Sequence, residues 1–369
     1  MASKTALLDM RPPEAFRSQT FSNFNKSKVR QQLYTEMQKG HVEPATFWCA
    51  ELVAAGHWTS LWELLMHFVA KDVNMGHPQM MVYLAMRYQW FLQRQDANES
   101  TQKHKHQTMN MLRNDVAVRE LMAEVVANIT LSPKKPGFEP WKLDERSEFE
   151  LSTMTGRFHA TGPGFGKNVL RPGDAPELAI AVNEMGYHLA NGDAHQACYW
   201  VEWILSFDKL CAQRKRPLEC ARRDELTTVD VKCRTDVVWI VWDLLDLYAQ
   251  DKHWEKRCVD AARQLFCSQY TKGACRRRKS LLYYAVSVLT TVLTKEKTLS
   301  LWSDKDAVQR VVARIDLIYQ ELKKNEQGQS TDYLYMTLGD EASQVAQMAE
   351  MVSKLELMTS LDIAAAHGK

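Results

Sequence analysis

The stretch from Ala45 to Pro78 limits the fold of this chain more than any other. Apolar residues fall at Trp48, Leu52, Val53 and Ala55, Gly56 interrupts, and a second stripe runs through Trp58, Leu61, Trp62, Leu65, Phe68 and Val69. Both spacings are helical. Gly56 suits the left-handed position after a helix, and Thr59 or Ser60 can cap the helix that follows. The stretch is therefore predicted to be an αα-hairpin with a very short turn and with Trp48 and Trp62 inward. Strand-type alternation is scarce elsewhere, and 15 glycines in 369 residues fall below the usual share of about 7%. The predicted class is all-α, with two stacked multi-helix units built from such hairpins.

The rest of the chain divides around that hairpin. Residues 1–25, with Pro12, Pro13 and three phenylalanines among polar residues, read as an extended arm that docks its aromatics on the body. A first helical unit covers 26–131, beginning with a helix near Lys26 that Gly40 closes. Helices are predicted from about Gln79 to Gln93 and from Met109 to Leu131, with Asp96–His106 as a solvated loop. Residues 132–176, rich in proline and glycine and poor in periodic apolar positions, form a connector. The second unit, 177–369, is predicted to hold helices at Leu178–Leu189, Tyr199–Leu210, Val231–Tyr248, His253–Gln269, Lys279–Thr294 and Asp304–Lys324. Ser303 is the expected cap of the last of these, and a methionine-rich helix follows from Gly339 to Thr359. Val231–Tyr248 is apolar nearly all round and should be central. Ala197, Tyr199, Trp200, Ile204 and Leu205 repeat the spacing of Ala45, Phe47, Trp48, Leu52 and Val53, and Glu184-Met185 echoes Glu36-Met37 with an interval four residues longer. Internal duplication and chance similarity of aromatic helices both explain this echo.

Few residues point to chemistry. GPGFGK at Gly162–Lys167 departs from a Walker A loop, since Thr161 takes the place of the first glycine and Asn168 that of the final Ser or Thr. Connector glycines needing positive φ are the simpler reading. His104 and His106 lack a third ligand, the cysteines form no CxxC pair, and pairs such as Glu51 with His57 or Cys198 with His195 lack a third group to orient a base. His188 and His195 read as helix-end or core histidines. No catalytic residue, metal ligand or cofactor is assigned, and an enzyme is the least expected class.

With 47 basic and 45 acidic residues, the formal net charge of +2 does not impose nucleic-acid binding, so any such activity must be local. The candidates are Arg214, Lys215, Arg216, Arg222 and Arg223 in one segment, and Lys272, Arg276, Arg277, Arg278 and Lys279 in another. They lie at the same end of the second unit if the two helices between them form an antiparallel pair. The opening residues have no apolar leader core, and no apolar run is long enough to span a membrane, so an intracellular protein is expected.

Across most of its length the chain resembles an uncharacterised family of large DNA viruses of eukaryotes. The resemblance runs through AELVAAGHWTSLWE, the aspartate and proline of KDVNMGHP, QACYWVEWI and FCSQYTKGACRRRKSLLYYAVSVLT. It carries no activity and implies a host cytoplasmic, nuclear or virion location. Locally, ATFWCAELVAAG and VAKDVNMGHPQ are similar to the helical domain behind the ATPase in clamp-loader-like proteins of the replication-associated recombination protein A group. Ala45, Phe47, Trp48, Ala55, Gly56, Asp72, Val73 and Pro78 fit that pattern. Asn74 replaces a glycine of the family's turn, and its second-helix arginine pair is replaced around Trp62-Glu63. This match implies a clamp-loader-collar-like oligomerising module without ATP hydrolysis. The expected function is a non-enzymatic scaffold or adaptor that self-associates or binds replication and repair proteins. The alternatives are a nucleic-acid-binding module that uses the two basic segments, and an internal virion protein.

Overall fold

The computed structural model describes residues 5–9, 11–99, 105–144, 147–292 and 300–327, with 349, 352 and 353. It is all-α: among the described residues there are isolated bridges but no strand. In chain order the helices are α1 (Lys26–Lys39), α2 (Val42–Ala54), α3 (Trp58–Phe68), α4 (Met80–Glu99), α5 (Lys105–Asn114), α6 (Val116–Leu131), α7 (Leu151–Thr155), α8 (Ala179–Ala190), α9 (Ala194–Gln213), α10 (Val238–Ala249), α11 (His253–Cys267), α12 (Lys272–Arg277), α13 (Lys279–Thr290), α14 (Lys305–Ala313) and α15 (Ile315–Lys323). A π-helical turn, Val69–Val73, continues α3. No helix among the described residues is long and apolar enough to cross a membrane. Most of the methionine-rich helix expected from Gly339 to Thr359 lies outside the described residues.

The chain forms two interleaved compact units: residues 1–65, 86–132 and 302–369 make the first, and residues 66–85 and 133–301 the second. The change at Ser132 falls where composition placed it. The segment 133–176, expected as a connector, is instead part of the second unit, and the segment from Trp302 onward belongs to the first.

In the first unit α2 is the centre, packed on α1 and α6, and every residue from Pro44 to Ala54 is buried. Trp48 and Trp62 are buried, as the stripes require. Gly56 has φ +76°, and the Gly56 N–H to Val53 and His57 N–H to Leu52 bonds close the helix in the paired pattern that a left-handed residue permits. The next helix starts earlier than expected. His57 precedes α3 and its carbonyl accepts from Leu61, so Thr59 and Ser60 lie inside the first turn and are not its caps. The arm docks Phe16, Phe21 and Phe24 in the core, with Phe24 edge-on to Trp48 at 5.8 Å. The helix expected from Met109 to Leu131 breaks at Asp115, whose carboxylate caps Ala117 N–H. The one expected from Asp304 to Lys324 breaks at Arg314 and is capped by Asp304, not Ser303.

His57 gives this unit a pH dependence. Burial pushes its imidazole down from 6.5 to about 4, while its Nε2 keeps a 2.8 Å contact with the Gln19 carbonyl. Protonation is thus easier in the unfolded chain. Its contribution to stability is complete above about pH 6.5, falls as pH is lowered, and is gone once pH passes below about 4. Urea titrations across that window should show a steeper loss for the wild type than for His57→Gln, which keeps an N–H for Gln19. Equal slopes would remove His57 as the cause.

In the second unit α10 packs on α8, α9, α11 and α13 and is the central helix that its composition required. It begins at Val238, not Val231, because the carbonyls of Arg234 and Thr235 accept from Arg223 and Cys220 instead of continuing a helix. The hairpin α8–α9 turns on Gly192 (φ +72°) as α1–α2 turns on Gly40 (φ +82°), and Glu36 and Glu184 are both buried. The four-residue longer interval in the second hairpin equals about one helical turn. Segment 133–176 is held by aromatics rather than periodicity: Phe149 lies 5.3 Å from Trp203, and Glu148 accepts from Tyr199 Oη at 2.7 Å.

Candidate functional site

A cleft of about 180 Å³ lies wholly within the second unit, where the π-helical turn, the segment 137–140 and the start of α13 meet. Three local features build it. The π turn closes with Asn74 N–H donating to Val69 O, five residues back, and Asn74 takes φ +39° while its amide bonds Ala70 O and Met75 N–H. Wide turns of this kind re-aim side chains and often mark working sites. Segment 133–140 then lies against the turn: Lys135 and Gly137 N–H donate to Val73 and Lys71 carbonyls. Gly137 is required because a Cβ there would stand 2.5 Å from the Asn74 amide nitrogen.

The third feature is Arg278. Burial takes it to 3% exposure, and its guanidinium donates to Leu265, Phe266 and Ser268 carbonyls at 3.2, 3.1 and 2.5 Å. Those carbonyls end α11, so this arginine acts as a C-terminal cap from outside the helix. Fixing Arg278 inward leaves Arg276 and Arg277 exposed at the end of α12, where they line the cleft with Lys279, Ser280 and Tyr283. Lys71 and His67 face them from the other wall, and half-buried Phe138 and exposed Glu139 complete it. Lys71 pairs with Glu139 at 3.0 Å, a carboxylate 74% exposed, and Lys279 pairs with Glu202 at 2.5 Å. Arg276 has no ion pair among the described residues.

The ten basic candidates thus separate. Arg223 is fully buried and bonded to Asp174 at 2.5 and 3.0 Å and to Asp243 at 3.0 Å, so like Arg278 it is spent on the fold. Arg222 pairs with Asp224 at 2.7 Å and Lys272 with Asp236 at 3.3 Å. Arg214, Lys215 and Arg216 are exposed after α9 and do not line the cleft. Glu202 meets Lys279 and Tyr283, whereas Asp208, further along α9, faces Lys272. α9 therefore runs antiparallel to α12–α13 and carries Arg214 towards the Lys272 end. Asp208 and Asp236 flank Lys272 there, which breaks the two basic segments into separate patches.

The other motifs are structural. In GPGFGK, Phe165 and Gly166 N–H both donate to Asn183 Oδ1, which leaves them unavailable to a phosphate. None of its glycines has positive φ; Gly166 is needed because a Cβ would stand 3.0 Å from the α8 backbone. Glu51 accepts from Ser22 and His57 contacts Gln19, so they do not form a pair. Cys198 is buried, and its thiol is pushed up by burial, the wrong direction for a nucleophile. His195 lies against Trp141, with ring centroids 4.3 Å apart. His104 is outside the described residues. His67, Lys71 and Phe138 were missed from sequence, because nothing in the spacing of isolated residues so far apart brings them to Arg276. No protein-family model matches the chain, and neither a curated relative nor a solved structure does.

Proposed function

We propose that the chain is a non-enzymatic helical scaffold that engages nucleic acid at the cleft of its second unit, with one phosphate held among Lys71, Arg276, Arg277 and Lys279. The observation that carries this reading is four permanently cationic side chains around a space of about 180 Å³, against one exposed carboxylate at the rim, Glu139. A phosphate would take Lys71 from Glu139 at little cost, since such exposed pairs are worth about 0 to 1 kcal/mol. Phe138 offers a face on which a neighbouring base can stack, which favours single strands. Self-association, or assembly with replication and repair proteins as in a clamp-loader collar, is the role that the sequence resemblance adds.

Fluorescence anisotropy of a labelled oligonucleotide across a salt series tests this. The wild type should bind with affinity that falls steeply with salt. Arg276→Glu/Arg277→Glu should weaken binding to all sequences and lower the salt slope by about 2, roughly one per lost phosphate contact. Arg222→Glu, outside the cleft, should bind like the wild type. Binding that is absent, salt-insensitive or unchanged in the double variant contradicts the proposal.

A further inference from the structure

We infer that His159, Glu184 and His188 form a zinc site that fastens the loop before α8 onto that helix. Glu184 and His188 are four residues apart on α8 and so share a face, while His159 comes from the loop. One ligand atom from each can be chosen so that all lie within 4.8 Å of one another.

The hydrogen bonds leave the required atoms available. His159 Nδ1 is 2.8 Å from the Arg157 carbonyl, which can only accept, so that nitrogen carries the proton and Nε2 keeps its lone pair. His188 Nδ1 is 3.5 Å from Asp193 Oδ2, which selects the same tautomer, and His188 Nε2 is buried with no hydrogen-bond partner in a residue only 4% exposed. An orphaned imidazole nitrogen is costly unless something occupies it. Carboxylate, histidine and metal in a row is the usual second-shell arrangement at zinc. Glu184 accepts from His159 and Ala160 N–H, at 2.8 and 3.1 Å, and a carboxylate with about four lone-pair sites still has room for an ion. Burial lowers the His188 pKa, which keeps the ring in its neutral, ligating form.

Two imidazoles and a carboxylate suit Zn²⁺, with water in the fourth position. Bonds of about 2.1 Å place tetrahedral ligand atoms about 3.4 Å apart, so the site must close by about an ångström or slightly more. Exposed His159 can supply that movement.

Zinc titrated calorimetrically into the full chain, after chelator treatment and dialysis, tests the site. One ion per chain is expected, with only nitrogen and oxygen neighbours in X-ray absorption and a raised melting temperature. His159→Ala, on the surface, should weaken binding at least tenfold and abolish the thermal shift. Asp193→Asn retains a side-chain acceptor for the α9 cap at Gln196 but alters the acceptor facing His188, and should weaken binding by about 10 to 100-fold. No stoichiometric zinc, sulfur in the first shell, or unchanged affinity in His159→Ala would each overturn the assignment.

Discussion

Trp48→Ala is expected to destabilise the protein by about 3 to 5 kcal/mol, the range for deleting a large aromatic from a packed core. Trp48 has no exposure and sits in a helix buried on all sides, with Phe24 and Phe47 edge-on at 5.8 and 5.1 Å. No secondary element can close that space without moving α1 or α6, which pack on α2. The indole N–H has no hydrogen-bond partner, so the loss is one of packing alone. Trp48→Phe should cost clearly less, because it retains ring contacts and removes an unsatisfied donor. Equilibrium denaturation of both variants checks this. Equal losses would mean that the hydrogen-bonding accounting is wrong, and no loss in Trp48→Ala would mean that α2 is not the centre of its unit.

Arg223→Met should be as damaging, at about 3 to 5 kcal/mol, since it leaves carboxylates without their cation in a buried setting. Asp174 is 2% exposed at its side chain and Asp243 is 13% exposed. Burial on its own would lower the Arg223 pKa and raise that of Asp174. The bonds between the two outweigh it, so Arg223 is raised and Asp174 lowered. Arg222→Met, at the neighbouring position, removes only a pair 55% and 67% exposed and should change stability by no more than about 0.5 kcal/mol. A matched pair of melting or denaturant curves distinguishes the two arginines. Similar small losses would place Arg223 at the surface.

That contrast marks what the sequence conveys. Helical period, capping glycines and the central place of α10 are local properties, so they were legible, as were inward Trp48 and Trp62. Breaks at Asp115 and Arg314 were not, because the apolar stripe continues across them while one side chain or carbonyl ends the helix. Segment 133–176 read as a connector since aromatic anchoring such as Phe149 on Trp203 leaves no periodic trace. The basic residues failed for another reason. Arg222-Arg223 and Arg276-Arg277-Arg278 are chemically uniform strings, and only tertiary partners decide that Arg223 and Arg278 turn inward. In the zinc site the spacing of Glu184 and His188 was visible, but His159 joins them through the fold alone.

The central claim, that the cleft is where nucleic acid sits, is tested most directly by photocrosslinking. A single-stranded oligonucleotide carrying a photoreactive base is irradiated with the wild-type protein near physiological salt, and the modified peptides are identified by mass spectrometry. The account predicts adducts on Phe138, on Lys71–Asn74 or on Arg276–Tyr283, and their loss in Arg276→Glu/Arg277→Glu. Adducts confined to Arg214–Arg216, or spread over the first unit and indifferent to the double substitution, would contradict it.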